Sequence, residues 1–215
     1  PSLTGTYDTT GTAYDVAVSG SYAYVADGAS GLEIINVSVP ATPTLTGTYN
    51  TTGTALACAV NGSYTYVADE TAGLQIVNIS APATPTLTGA YDTAGYAYDV
   101  SLYGSYALVA DGYAGLAIVN VSAPASPSLT GSYDTAGWAD TVTWTGTTAY
   151  LADNGVVSLD ISGPATPALT DIFVTLGGYR HAAAQGDLVC ITSNSNYGGG
   201  MAIFDVSNPA LPALL

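Results

Sequence analysis

Residues 31–50 read GLEIINVSVPATPTLTGTYN, and closely similar stretches occupy residues 73–92 and 115–134. Each copy holds an aliphatic run, a break rich in proline, and a second run that ends in tyrosine. Because proline has no N–H to donate, it interrupts a β-ladder. The stretch therefore predicts two short strands separated by a turn, and its recurrence predicts a repeat protein.

The repeat has a period of about 42 residues. The motif Pro-x-Leu-Thr-Gly-x-Tyr or a weaker form of it begins at Pro1, Pro43, Pro85, Pro127 and Pro167. In the first unit, β-branched and aromatic residues bounded by glycine and proline predict strands a to d at residues 12–19, 21–27, 31–37 and 44–49. Four strands per repeat of this length are typical of a propeller blade.

The sequence thus predicts an all-β fold, a five-bladed β-propeller of four-stranded antiparallel blades, with residues 1–215 as one domain. A β-solenoid is the competing architecture. Glycines recur where strand a turns into strand b and favour up-and-down hairpins; they are Gly20, Gly62, Gly104, Gly146 and Gly186.

For ring closure, we expect residues 1–7 to supply strand d to the blade built from residues 178–206. The segment Pro212–Leu215 then has no slot, which suggests that a longer array was cut or that the tail leads to another module. Alternatively, strand d is donated to a neighbouring molecule.

These motifs resemble a known family. The aliphatic runs at residues 31–38, 73–80 and 115–122, with the proline-rich segments and YVADG-type strand ends, are similar to LVIVD repeats. The resemblance covers the whole chain and implies a propeller-type fold, common in extracellular or surface-anchored bacterial and archaeal proteins. It brings no catalytic residues. The aspartate of the family after the aliphatic run is asparagine in the first three repeats.

The charge balance excludes two classes of partner. The chain has sixteen Asp or Glu, no lysine and one arginine, Arg180, for a formal net charge of −15. Nucleic acids and anionic lipids are bound through Lys and Arg, so neither is expected as a partner. No apolar run of 18 residues exists, so no membrane insertion is expected. The Thr-, Ser- and Tyr-rich composition is typical of extracellular or cell-surface proteins.

Aspartates recur at fixed repeat positions and predict an acidic face, the face formed by the d–a and b–c loops. One row ends strand b and comprises Asp27, Asp69, Asp111 and Asp153. Such residues commonly cap turns by accepting nearby N–H groups. The alternative is a Ca²⁺ site of carboxylates and loop carbonyls. No other cofactor is expected.

Glycosylation motifs cluster on the opposite face. Five Asn-x-Ser/Thr sequences are present, at Asn36, Asn50, Asn61, Asn78 and Asn120. All except Asn50 fall in turns of the c–d and a–b side. If the source modifies asparagine, one face carries sugar and the acidic face stays free.

A second set of residues breaks the repeat pattern and could contact a ligand. Arg180 and His181 replace the Tyr-Asp pair that begins strand a in the first and third repeats. Trp138, Tyr96 and Tyr113 are aromatic additions in loops near the acidic face, as expected for residues that stack on sugars.

We therefore expect a non-enzymatic structural or adhesion module of the cell surface, acting by protein–protein contact or self-association. A carbohydrate-binding propeller is the first alternative. A hydrolase or lyase using the central channel around Arg180 and His181 is the second, although no paired acid–base motif supports it.

Overall fold

The structure is a computed structural model that describes residues 2–153, 155–173, 179–193 and 200–215, without the side chains at positions 173, 179, 180 and 193. Within these residues the regular elements are all β-strands, twenty in number, arranged as five four-stranded antiparallel sheets. Each sheet is one blade, and its strands follow one another in chain order. The predicted all-β propeller of five blades is confirmed.

The strand bounds follow the repeat. Blade 1 holds β1 (Asp15–Ser19), β2 (Tyr22–Ala26), β3 (Leu32–Asn36) and β4 (Thr44–Tyr49). Blade 2 holds β5 (Ala57–Asn61), β6 (Tyr64–Ala68), β7 (Leu74–Asn78) and β8 (Thr86–Tyr91). Blade 3 holds β9 (Asp99–Tyr103), β10 (Tyr106–Ala110), β11 (Leu116–Asn120) and β12 (Ser128–Tyr133). Blade 4 holds β13 (Thr141–Thr145), β14 (Thr148–Ala152), β15 (Val156–Asp160) and β16 (Ala168–Phe173). Blade 5 holds β17 (Tyr179–Gln185), β18 (Leu188–Ser193), β19 (Gly200–Asp205) and β20 (Ala213–Leu214).

Two-residue turns join the first two strands of all five blades. In blade 1, Ser19 pairs with Tyr22 across the turn, and Gly20 has a φ of 58°. A positive φ at the first turn residue suits glycine, because it has no Cβ to clash. The predicted hairpins are therefore present.

The hydrophobic core lies between consecutive blades. Tyr24 and Ile34 of blade 1 pack against Cys58 and Val67 of blade 2, and similar clusters join each later pair. We call the face of a blade that packs on the next blade its downstream face, and the opposite face its upstream face. Successive residues of a strand point to opposite faces of its sheet. Because the repeat places apolar residues on both faces, each inner blade buries both of them.

The glycine of the Leu-Thr-Gly motif lets neighbouring blades approach. A Cβ on Gly47 of β4 would overlap the carbonyl oxygen of Pro82 in the next blade, and Gly89 stands in the same relation to Pro124. Gly5 is placed in the same way against Pro40 of blade 1. The N-terminal segment therefore lies beside blade 1 where the last strand of a preceding blade would lie.

The prediction for ring closure was wrong. Blade 5 is completed by its own tail, because β20 pairs with β19 and the Leu215 N–H donates to the Ile203 carbonyl at 2.9 Å. Residues 2–12 form no strand. A short turn separates the tail from β19, so this pairing closes a far smaller loop than pairing with the other end of the chain would.

Membrane insertion was not expected from the sequence. Across the described ranges, no helix is long and apolar enough to span a bilayer.

Candidate functional site

The five blades meet around a central cavity of about 380 Å³. Each blade contributes two residues from the beginning of its first strand or just before it. The polar lining residues are Tyr14, Asp15, Tyr98, Asp99, Asp140, Thr141 and His181. Because residues that are one repeat apart lie at the same height in a ring of blades, the repeat register alone brings these side chains together.

Two cavity carboxylates connect adjacent blades. Asp15 accepts the backbone N–H of Cys58 at 2.9 Å, and Asp99 accepts that of Val142 at the same distance. The pKa of Asp99 is raised to about 6, mainly by burial and to a smaller extent by the charge of Asp15. The N–H groups of Val142 and Val100 act in the opposite direction. These carboxylates therefore have a structural task in addition to giving the cavity its acidic lining.

The aspartates at the ends of the second strands hold loops together. Asp69 accepts the Thr51 hydroxyl at 2.5 Å and the Gly53 N–H at 2.8 Å. Asp27 and Asp111 make the corresponding pair of bonds in their own repeats. Burial raises the pKa of both Asp69 and Asp111, although these hydrogen bonds oppose the rise.

The fourth member of this row, Asp153, accepts the backbone N–H of Trp138. Within the described residues, no three His, Cys, Asp or Glu side chains converge as a metal centre would require. The bonds observed are those of turn-capping carboxylates, and the Ca²⁺ site at Asp27, Asp69, Asp111 and Asp153 stays a prediction.

Three aromatic residues singled out from the sequence converge on the acidic face. Trp138 lies 6.0 Å from Tyr96 and 6.3 Å from Tyr113, measured between ring centroids. Tyr98, which lines the cavity, lies 5.6 Å from Trp138. The cluster therefore adjoins the cavity at the junction of blades 3 and 4.

The repeat organisation matches a family model along nearly the whole chain. The model of the LVIVD repeat matches five times, at residues 10–51, 52–93, 94–135, 136–175 and 177–215. The chain belongs to the LVIVD-repeat family. No curated protein of similar sequence matches it.

Solved structures similar to this LVIVD chain differ widely in origin. The periplasmic gluconolactonase PpgL of Pseudomonas aeruginosa has a TM-score of 0.80 at 11% identity, with 100% of this chain and 74% of that chain covered. BamB from Moraxella catarrhalis has a TM-score of 0.68 at 14% identity, with 93% of this chain and 60% of that chain covered. The computationally designed Ika8 protein has a TM-score of 0.73 at 7% identity, with 94% of this chain and 60% of that chain covered. The LVIVD chain thus spans less than two thirds of the length of the latter two, and identities this low show the fold alone.

The glycosylation motifs coincide with a turn that the LVIVD repeat needs. The side-chain oxygen Oδ1 of Asn36 accepts the Ser38 N–H at 2.9 Å, and Oδ1 of Asn78 and of Asn120 do the same in their repeats. Asp160 accepts the Ser162 N–H in blade 4, and this bond lowers the pKa of its carboxyl. Asparagine and aspartate therefore cap the same turn. Their recurrence follows from the fold, and glycosylation stays a prediction.

The remaining two glycosylation candidates have exposed side chains. Asn61 ends β5 and Asn50 lies just after β4. They are the most accessible of the five sequons.

The Arg-His pair is described in part. His181 is exposed and lines the cavity, as its repeat position predicts. The Arg180 side chain lies outside the described residues. Sequence reasoning missed Asp140 and Thr141 as cavity residues; their alignment with Arg180 and His181 in the repeat register was the signal that could have identified them.

Proposed function

We propose that this LVIVD chain is a non-enzymatic structural or adhesion module of the cell surface that self-associates through its two terminal blades. The observation that carries the proposal is that blades 1 and 5 each leave exposed a face that every inner blade buries. A second copy of the chain is the proposed partner. No cofactor is part of the proposal.

Blade 1 has an exposed upstream face. Val16 of β1 is 56% exposed, whereas its repeat equivalents Cys58, Val100 and Val142 are at most 6% exposed. Val18, two positions further along the strand, is more exposed still. In the inner blades, this row packs against the preceding blade.

Blade 5 has an exposed downstream face. Met201 of β19 is 65% exposed, whereas the residues in its row of blades 1 to 4 are fully buried; they are Leu32, Leu74, Leu116 and Val156. Leu188 of β18 is also exposed. These positions lie where the other four blades contact their successor.

The exposed strand rows of the two faces are complementary, although the N-terminal segment around Gly5 already lies at the outer-strand position beside blade 1. Blade 5 presents the rows that would contact a following blade, and blade 1 presents the rows that would contact a preceding one. Four interfaces of this kind already exist within the chain. Burying one exposed valine or methionine contributes about 1.5–3 kcal/mol. Head-to-tail contact of such faces produces rings or open filaments of copies, which suits a structural or adhesive role.

The cavity chemistry favours a role without catalysis. Asp15 and Asp99 accept backbone N–H groups of the neighbouring blade, a use of carboxylates that stabilises the ring of strands. A surface location accords with the lysine-free, strongly acidic composition.

The proposal is tested by the oligomeric state. We expect light scattering during size exclusion to show the wild-type mass rising with protein concentration, and Val16→Glu to elute as a monomer because it places a charge in the contact. Val39→Glu is the matched control, since Val39 has nearly the same exposure but lies in the β3–β4 turn, and it should associate like the wild type. A wild-type monomer at every concentration would overturn the proposal.

A further inference from the structure

The cluster of Tyr96, Tyr113 and Trp138 is not required by the fold. At the position of Tyr96 and Trp138, the first two repeats carry Thr12 and Thr54. The position of Tyr113 is alanine and threonine in those same repeats. Blades 1 and 2 form the same four-stranded sheets without these rings. Three large aromatic side chains therefore sit where smaller residues suffice for folding.

The rings stay accessible although they pack together. Trp138 is 38% exposed and Tyr113 is 52% exposed. Tyr96 meets Tyr113 edge-on, with the planes at 82°, and lies nearly parallel to Trp138 at 27°. The Tyr113 hydroxyl donates to the Ala94 carbonyl at 2.7 Å, which fixes its ring. The result is a preformed aromatic surface on the acidic face.

The spacing of the rings decides between two kinds of ligand. An aromatic cage for an ammonium group needs a gap between its walls into which the cation fits. Here the centroids are 5.7–6.3 Å apart, which is the distance of rings in direct contact. A cation therefore has no place between them. The outer ring surfaces, by contrast, can stack on a flat ligand with apolar C–H groups.

Acceptors for hydroxyl groups lie next to the aromatic surface. Tyr98 bridges from Trp138 to the cavity, where Asp99 and Asp140 contribute carboxylates. A carboxylate has about four sites that can accept hydrogen bonds. In Asp99, the N–H groups of Val100 and Val142 occupy two of these sites. C–H faces beside several hydroxyl donors are the chemistry of a saccharide.

The charge of the site selects among saccharides. The chain has a net charge of −15, and the cavity adds Asp15 to the carboxylates beside the platform. Sialylated, uronic or phosphorylated sugars would be repelled. We propose that the platform of Tyr96, Tyr113 and Trp138, with the adjoining cavity carboxylates, binds a neutral oligosaccharide.

The repeats of the chain supply matched variants for the test. Trp138→Thr, Tyr96→Thr and Tyr113→Ala each install the residue that another blade carries at that position, so the fold should be retained. Trp144→Phe is the control, because Trp144 is the second tryptophan and packs on Tyr103, away from the platform. Thermal unfolding of every variant verifies that it is folded.

Binding is measured with neutral oligosaccharides of glucose, galactose, mannose and N-acetylglucosamine, against sialylated and uronic counterparts. We expect a neutral member to bind with a Kd below about 1 mM, and Trp138→Thr to weaken it about tenfold or more. In the Trp144→Phe variant, Trp138 is the only tryptophan, and its selectively excited fluorescence should change on binding. Silence across the neutral set, binding of acidic sugars alone, or unchanged affinity in Trp138→Thr would overturn the proposal.

Discussion

At the scale of single residues, the acidic side chains of this chain are connecting groups. Asp99 links its own strand to the next blade through the Val142 N–H, and Asp69 links two loops through Thr51 and Gly53. The repetition of these bonds accounts for much of the excess of acids. The excess of negative charge is therefore largely a consequence of the repeat, although it also gives the cavity its character.

Asp99 should make stability depend on pH. Its pKa is about 6 in the folded chain, against about 4 in an unfolded one. Between these values the folded state binds more protons, so the contribution of Asp99 to stability is fully present below pH 4 and is lost as the pH rises through 6. The raised pKa of Asp69 and of Asp111 acts in the same direction. We expect Asp99→Asn to reduce the fall in Tm between pH 4 and pH 7.

The control for this titration is Asp134→Asn, which alters an exposed carboxylate of the acidic face. Its Tm should follow the wild-type pH profile. An Asp99→Asn profile as steep as that of the wild type would show that other groups carry the dependence.

At the scale of elements, glycine in the outer strand sets the spacing between blades. In Gly89→Ala, the new Cβ would overlap the Pro124 carbonyl oxygen, which belongs to the backbone of the next blade. Overpacking of this kind destabilises by about 1–3 kcal/mol. We expect the free energy of unfolding to fall by that amount, which lowers the midpoint of urea unfolding.

Gly163→Ala provides the comparison for this substitution. Its nearest neighbour would be the Thr166 hydroxyl at 3.4 Å, which is ordinary contact. The midpoint should therefore stay close to that of the wild type. Equal midpoints for both variants would show that adjacent blades can separate slightly at no cost.

Strands and hairpins could be predicted from the sequence because their signals are local. Gly20 marks a turn, proline marks a break, and the 42-residue period multiplies each signal. The prediction of ring closure was wrong because copies of the same motif begin at both Pro1 and Pro212. The sequence alone does not tell which copy completes blade 5, whereas the structure shows that β20 pairs with β19. Of the site, the aromatic cluster could be predicted because its residues depart from the repeat. The Asp99 bridge could not, since Val142 lies 43 residues away and joins it only through the packing of blades.

At the scale of the whole molecule, long-range charge and apolar contact oppose each other. Each copy carries −15, so copies repel at low salt, whereas the proposed contact through Val16, Val18 and Met201 is apolar. The Debye length falls from about 10 Å at 0.1 M to about 3 Å at 1 M ionic strength. We therefore expect self-association to strengthen when sodium chloride is raised over this range, as measured by sedimentation equilibrium. Val16→Glu should stay monomeric throughout. Association that weakens with salt would instead indicate ion pairs at the interface, and with a single arginine and a single histidine among these residues those would involve Arg180 or His181.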